Sequence, residues 1–281
     1  MMSVVEARVR TMADASVTRA KRVQHGKLSV VIPALNEEKF LPQLLASLAA
    51  QTQRDFEVIV VDGSSKDKTV ARAQAFRSRL PSLKVIVSRK AGLPLQRNLG
   101  ARAARGEWLV FIDADSILLP YFIERLQVFI HEHRPKLFTS WFRPDSEVSG
   151  DALFVLIANL FVEGSIVIHR PIAPGPLAVV RREVFDLVGG YDESLHFGED
   201  YDFTRRIAAR GISLHILRET LYVYSLRRVR KEGRLRFMRL YARAALLVLL
   251  TKRNLRRVPS YVMGGHLYAP ETKHAHRPTI R

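Results

Sequence analysis

Glu107-Trp108-Leu109-Val110-Phe111-Ile112-Asp113-Ala114-Asp115 is the stretch on which the fold turns: an unbroken apolar run ends abruptly in two carboxylates separated by one small residue. Apolar residues in succession, without alternation, predict a strand covered on both faces, as in a parallel sheet. Asp113 and Asp115 then fall at the C-terminal edge of that sheet. In open α/β sheets this edge is where ligands bind, and two hard oxygen donors there suit Mg²⁺ or Mn²⁺ carrying phosphates. Ala114 adds no bulk that would block a large anion. A second reading is a strand-to-helix junction, with Asp113 ending the strand and Asp115 or Ser116 capping a helix that Pro120 helps to start.

Working outward, the same grammar repeats. Residues 28–33 read as a buried strand ended by Pro33, followed by the loop Ala34-Leu35-Asn36-Glu37-Glu38. Residues 39–51 carry Phe40, Leu41, Leu44, Leu45 and Leu48 at helical spacing. Phe56-Glu57-Val58-Ile59-Val60-Val61-Asp62 is again a strand closed by an acid, and Gly63-Ser64-Ser65-Lys66-Asp67 turns into a helix over 70–76 that Asp67 can cap. Further elements are a strand at 83–87, helices at 94–104 and 120–133, a strand at 137–142 and a buried helix at 151–163. A proline-rich loop at 170–176, a helix at 181–188 and an acid-rich loop entering another helix follow, and strands at 213–217 and 221–224 close the pattern. Alternating helices and apolar strands mean βαβ units: an α/β, Rossmann-like, mainly parallel twisted sheet flanked by helices. A dinucleotide-binding fold needs a Gly-x-Gly-x-x-Gly turn after the first strand, and Pro33-Ala34-Leu35-Asn36-Glu37 has no glycine, which disfavours an oxidoreductase.

With 281 residues, 47% of them hydrophobic and 9% aromatic, the chain can bury one large core. Its lack of cysteine excludes disulfides and thiolate metal sites and is compatible with a reducing cytosol, so a cytoplasmic protein is expected. No apolar run reads as long enough to span a bilayer, Leu153 to Ile168 being interrupted by Asn159 and Glu163, and the N-terminus has no continuous apolar core of the signal-peptide kind. Charge is uneven: the stretch 205–281 holds 19 Lys/Arg against 3 acids, a net of +16, whereas the first 204 residues are close to neutral. Such a tail implies an anionic partner, whether lipid, phosphorylated acceptor or nucleic acid, or else a solubilising face.

Five segments taken in order now add up. Ser29-Val30-Val31-Ile32-Pro33-Ala34-Leu35-Asn36-Glu37, Val60-Val61-Asp62-Gly63-Ser64-Ser65, Arg97-Asn98-x-Gly100, Phe111-Ile112-Asp113-Ala114-Asp115, and Gly189-Gly190-Tyr191-Asp192-Glu193 through Gly198-Glu199-Asp200 resemble the motifs of family 2 glycosyltransferases. The likeness covers about residues 27–225. It implies a GT-A fold, a nucleotide-diphosphate sugar donor and inversion at the anomeric centre. It further implies that Pro33, Leu35 and Glu37 line the nucleoside pocket, that Asp62 hydrogen-bonds the base and that Arg97 approaches the nucleotide. Asp113, Ala114 and Asp115 would meet the ribose and the divalent ion, and Asp200 would be the general base, with Glu199 its rival. The competing reading of Glu199, Asp200 and Asp202 is an acidic first helical turn favoured by the helix dipole. For Asp62 the rival role is capping the turn at Ser64 or Ser65. Many relatives have two acids where Asp62-Gly63 stands. The Gln/Arg-x-x-Arg-Trp signature of processive synthases has no counterpart, so addition of one sugar rather than a polymer is expected.

The remaining segments divide into an N-terminal arm at 1–26 and a basic helical extension at 226–281, either side of a catalytic domain at 27–225. Ser225-Leu226-Arg227-Arg228 resembles a Ser-x-Arg-Arg segment of some non-processive relatives. Residues 233–251 are helical by pattern, with Arg236, Arg239 and Arg243 on one face. Two dispositions are open for it: in a membrane interface with its arginines on anionic headgroups at the cytoplasmic face, or packed on the catalytic domain. His266, in a glycine-flanked loop, is a candidate third metal ligand, by likeness to some GT-A enzymes. The expected reaction is transfer of one sugar to the hydroxyl or phosphate of a lipid-linked or membrane-proximal acceptor. Two alternatives are a nucleic-acid-binding protein using the Arg-rich tail, which the scarcity of interleaved aromatics disfavours, and an inactive sugar-nucleotide binder.

Overall fold

The computed structural model describes residues 27–234 together with Arg239, so the N-terminal arm, His266 and nearly all of the basic extension lie outside the described residues. The first half runs β1 (Leu28–Ala34), α1 (Leu41–Ala49), β2 (Phe56–Asp62), α2 (Thr69–Gln74), β3 (Leu83–Val87), α3 (Leu93–Ala103) and β4 (Trp108–Ile112). The second runs β5 (Ile117–Leu118), α4 (Phe122–His133), β6 (Leu137–Pro144), α5 (Ser149–Val167), β7 (Leu177–Arg181), α6 (Arg182–Leu187), α7 (Glu199–Ala208), β8 (Leu214–Tyr224) and α8 (Arg227–Glu232).

All eight strands form one sheet in the order β3-β2-β1-β4-β7-β6-β8-β5. The β3-β2-β1-β4 half is parallel, as expected from its unbroken apolar runs. Beyond β4 the sheet is mixed: β7 enters antiparallel between β4 and β6, and β5 lies antiparallel on β8. Every residue of β1, β2 and β4 is buried because helices cover both faces. Alternate side chains go to opposite sides, Val30, Val58 and Val110 into one core and Val31, Ile59 and Leu109 into the other.

The register explains several motif residues. β1 pairs β4 only from Leu28↔Trp108 to Val31↔Phe111, so Pro33 lies where that pairing has stopped, next to a strand end rather than at it. Gly100 allows α3 to ride directly on β1, since a Cβ there would come within 2.2 Å of the Val31 side chain. Because β2 and β4 flank β1 on opposite sides, the chain reverses its direction of travel across the sheet at β1, and ligand crevices form at such a switch point.

Three expectations need correction. Asp115 does not lead into a helix: β5 intervenes before α4 begins at Phe122, so the strand-to-helix reading of the two aspartates is excluded. Residues 213–224 form one strand instead of two, its irregularity absorbed by register shifts against β6 near Trp141. The helix expected to be buried at 151–163 extends over Ser149–Val167 and leaves one apolar side in solvent. It is also long and apolar enough, by length and composition, to cross a membrane. Periodicity cannot tell a buried apolar helix from an exposed one.

Candidate active site

The C-terminal ends of β1, β2 and β4 bring the candidate residues to one edge of the sheet. At β2 the carboxylate of Asp62 is split in role. Its Oδ2 accepts the Ser65 N–H at 2.9 Å, while its buried Oδ1 has no hydrogen-bond partner. The turn-capping reading of Asp62 holds through Oδ2, while Oδ1 stays open to a donor, and an unpaired buried acceptor is costly unless one arrives. The loop after β1 is tied to the loop after β2: Asn36, in a left-handed conformation, accepts from the Lys66 N–H at 2.7 Å, and its own N–H donates to Ser65 Oγ at 2.8 Å. Leu35 sits half-buried in that knot and Ala114 is buried beside β4. Gln96, from α3, donates to the carbonyls of Ala34 and Val61.

Arg97 is the centre of the site. Only 1% exposed, it donates to Asp113 Oδ1 at 3.3 Å, to Glu199 Oε1 at 3.0 Å and to the Gly175 carbonyl at 2.8 Å, and its guanidinium lies over the Tyr191 ring at 5.1 Å. The neighbouring Asn98 grips the backbone of Tyr191 from both sides, accepting its N–H at 2.9 Å and donating to its carbonyl at 2.8 Å. Gly190 is needed there: its φ is +72°, and a Cβ would fall 2.7 Å from Asn98 Oδ1. The Arg-Asn pair of α3 and the Gly-Gly-Tyr-Asp segment are thus two halves of one clasp.

Glu199 and Asp200, rivals in the sequence, are given different tasks. Glu199 is buried and held by Arg97. Asp200 is partly exposed, accepts the Gly175 N–H at 3.0 Å through Oδ2, and is pushed up to about 6 by burial and by Glu199 beside it. A carboxylate near 6 is ionised at neutral pH yet basic enough to take a proton. Asp202, third acid of that turn, pairs with Arg205 and Arg206 and belongs to the helix. Thr204 fastens the loop 168–176 to α7 by accepting the Ala173 N–H and donating to the Asp200 carbonyl.

A second arginine faces the other acids. Arg227, at the start of α8, contacts both oxygens of Glu37 at 2.6 and 2.9 Å, Asp115 Oδ2 at 3.0 Å and the Phe40 ring at 4.2 Å. Burial nevertheless raises Glu37 and Asp113 to about 7 and Asp115 above its ordinary value, against the pull of the arginines. Arg227 lies in the Ser-x-Arg-Arg segment, a resemblance that carries no role for it. The signal that could have found it is the excess of acid among Glu37, Asp113 and Asp115, which needs a cation from elsewhere.

Among the described residues no three His or acidic side chains converge as a metal centre. The donor set nonetheless fits a hard divalent ion: Arg97 engages Asp113 through Oδ1 and Arg227 engages Asp115 through Oδ2, leaving each carboxylate a second oxygen.

Comparison with known proteins bears on this arrangement. The model of a family described as "Glycosyl transferase family 2" matches residues 29–189, and that of "Glycosyltransferase like family 2" matches residues 146–260. An uncharacterized glycosyltransferase of Haemophilus influenzae is 29% identical over 64% of this chain and 61% of its own length. A PGL/p-HBAD biosynthesis glycosyltransferase of Mycobacterium bovis is 32% identical over 63% of this chain and 68% of its own. The chain spans only 19% of the Staphylococcus aureus poly(ribitol-phosphate) beta-N-acetylglucosaminyltransferase TarS, to which it is 36% identical over 111 residues. Among solved structures, TarS residues 1–349 with UDP-GlcNAc superposes with a TM-score of 0.58 at 23% identity, over 71% of this chain and 58% of that one. The Pyrobaculum calidifontis mannosyltransferase PcManGT with GDP-Man and Mn²⁺ gives 0.59 at 20% identity, over 78% of this chain and 64% of its own. These likenesses establish a GT-A type fold.

Proposed function

This chain belongs to glycosyl transferase family 2, and from that premise we propose that it moves one sugar from a nucleotide-diphosphate sugar to an acceptor oxygen with inversion. The observation that supports the reading is the chain of contacts from Asp113 through Arg97 and Gly175 to Asp200, which links the candidate donor-binding acids to the candidate base.

The donor's nucleoside lies over the ends of β1 and β2, with a base N–H donating to Asp62 Oδ1. Pro33, Leu35 and Glu37 border that pocket, and Asp113, Ala114 and Asp115 the sugar-phosphate side. Asp113 and Asp115 would hold Mg²⁺ or Mn²⁺, as the GDP-Man and Mn²⁺ complex of PcManGT encourages. Such an ion supplies positive charge where the leaving diphosphate gains negative charge. Arg227, already seated among Glu37 and Asp115, adds a second cation on that side. On the other side Asp200 takes the acceptor's proton as the acceptor oxygen bonds to the anomeric carbon and the bond from that carbon to the phosphate oxygen breaks. Glu199 is buried and held by Arg97, so it is less accessible to an acceptor than Asp200. Attack from the face opposite the leaving group inverts the centre.

The acceptor we propose is membrane-proximal and lipid-linked, and the protein peripheral at a cytoplasmic membrane face, a reading supported by the +16 of residues 205–281. Thermal unfolding with nucleoside diphosphates and their sugars, with and without Mn²⁺, tests the donor side: one nucleotide should raise Tm selectively and more so with the ion. Release of nucleoside diphosphate from UDP-GlcNAc, GDP-Man or another sugar nucleotide tests turnover. Failure of every donor both to stabilise the protein and to be consumed would end the proposal.

A further inference from the structure

Helix α5 turns one side to the sheet and the other to solvent. Its polar residues face the protein: Asn159 is buried and holds the Phe142 backbone by its carbonyl at 3.0 Å, Ser165 is buried, and Asp151 is buried against Arg234 at 2.7 Å. Val155 and Val162 are buried on the same side, but a run of large apolar residues faces out. Leu153, Leu156, Ile157, Leu160, Phe161 and Val167 are 47–77% exposed and recur at the three- and four-residue spacing of one helical face. Eight of the twelve large exposed hydrophobics among the described residues fall between positions 148 and 168, so this is one patch and not scatter. Contiguous apolar surface of this kind marks an interaction site.

Charge selects the occupant. The two acids of α5 are paired, Asp151 with Arg234 and Glu163 with Arg218, and Arg230 is paired with Asp145. A second copy would bring a second segment of net +16 towards the first. Residues 235–281, with ten Lys/Arg to one acid, carry most of that excess and call for an anionic counterpart. An anionic bilayer is both apolar and of opposite sign. A spanning orientation is excluded because the inward face of α5 is committed to the sheet, which leaves the in-plane one.

We infer that the Leu153–Val167 face of α5 seats the protein in the headgroup and acyl boundary of an anionic membrane and thereby delivers a lipid-borne acceptor to Asp200. α5 runs directly into the loop 168–176, whose Gly175 touches both Arg97 and Asp200, so the seated helix leads to the candidate base. The acceptor half of this inference rests on the glycosyltransferase reading, and the seating half does not.

The test uses the full chain with vesicles of phosphatidylcholine alone or with about a third phosphatidylglycerol. The protein should sediment with the anionic vesicles and hardly with the neutral ones. Leu156→Gln with Leu160→Gln, both exposed, should weaken that partitioning roughly tenfold or more while leaving Tm and donor hydrolysis unchanged. Because the chain has no cysteine, Ile157→Cys can carry a single environment-sensitive fluorophore, which should shift to the blue on anionic vesicles. Binding by the double variant as tight as the parent's, no binding by the parent, or self-association that the double variant abolishes would each overturn the inference. Absence of donor turnover in parent and variant alike would instead count against the enzyme reading, whatever the vesicles do.

Discussion

Arg97 and Arg227 serve similar acids in different regions of the site, and the contrast separates what the fold needs from what a ligand can replace. Arg97 comes from the middle of the parallel half, is sealed from solvent, and joins two acids, a carbonyl and an aromatic ring. Arg227 arrives after the last strand, keeps 13% of its side chain exposed, and faces Glu37, which burial holds at about 7 even with the arginine in contact. The inner arginine is part of the core. The outer one stands in front of acids that can accept a proton or another cation instead.

The largest effect should come from the inner region. Asp200→Asn is expected to lower transfer about 10²- to 10⁴-fold while nucleotide affinity, read by calorimetry, stays near the parent value. Near-normal turnover would remove Asp200 from its role. Arg97→Met leaves Glu199 and Asp113 without their counter-charge and should cost about 3–5 kcal/mol in urea unfolding, the scale for breaking a buried pair.

Arg227→Met should cost less, about 1–2 kcal/mol, and its cost should depend on pH. The sign follows from Glu37, whose folded value is raised from about 4.5 to about 7. Stability linked to it is complete below the unfolded value and is lost as pH rises through the folded one. Without Arg227 the charged carboxylate loses its partner, so the penalty must be greater at pH 8 than at pH 6. Equal penalties at both would erase the distinction between the two arginines. The mildest expectation is a pH profile in which the rate climbs through about 6, as Asp200 ionises, and levels off above it.

Much of the inner region was legible in the sequence. Strands β1, β2 and β4 are buried on both faces, so they read as unbroken apolar runs, and the acids at the ends of β2 and β4 mark where those runs stop. The outer region was hidden for physical reasons. Nothing local in Leu177–Arg181 encodes an antiparallel insertion between β4 and β6, because strand order is decided by tertiary packing. Arg227 and Glu37 meet across 190 residues, beyond any pattern of spacing. The exposed side of α5 looked like core because apolar composition records a preference for leaving water and not where the residue goes.

Gly175 joins the two sides of the site through its own backbone: its carbonyl serves Arg97 and its amide serves Asp200. Any displacement of Arg97 is therefore passed to Asp200 through a single residue, and neither side chain can shift without the other meeting the change.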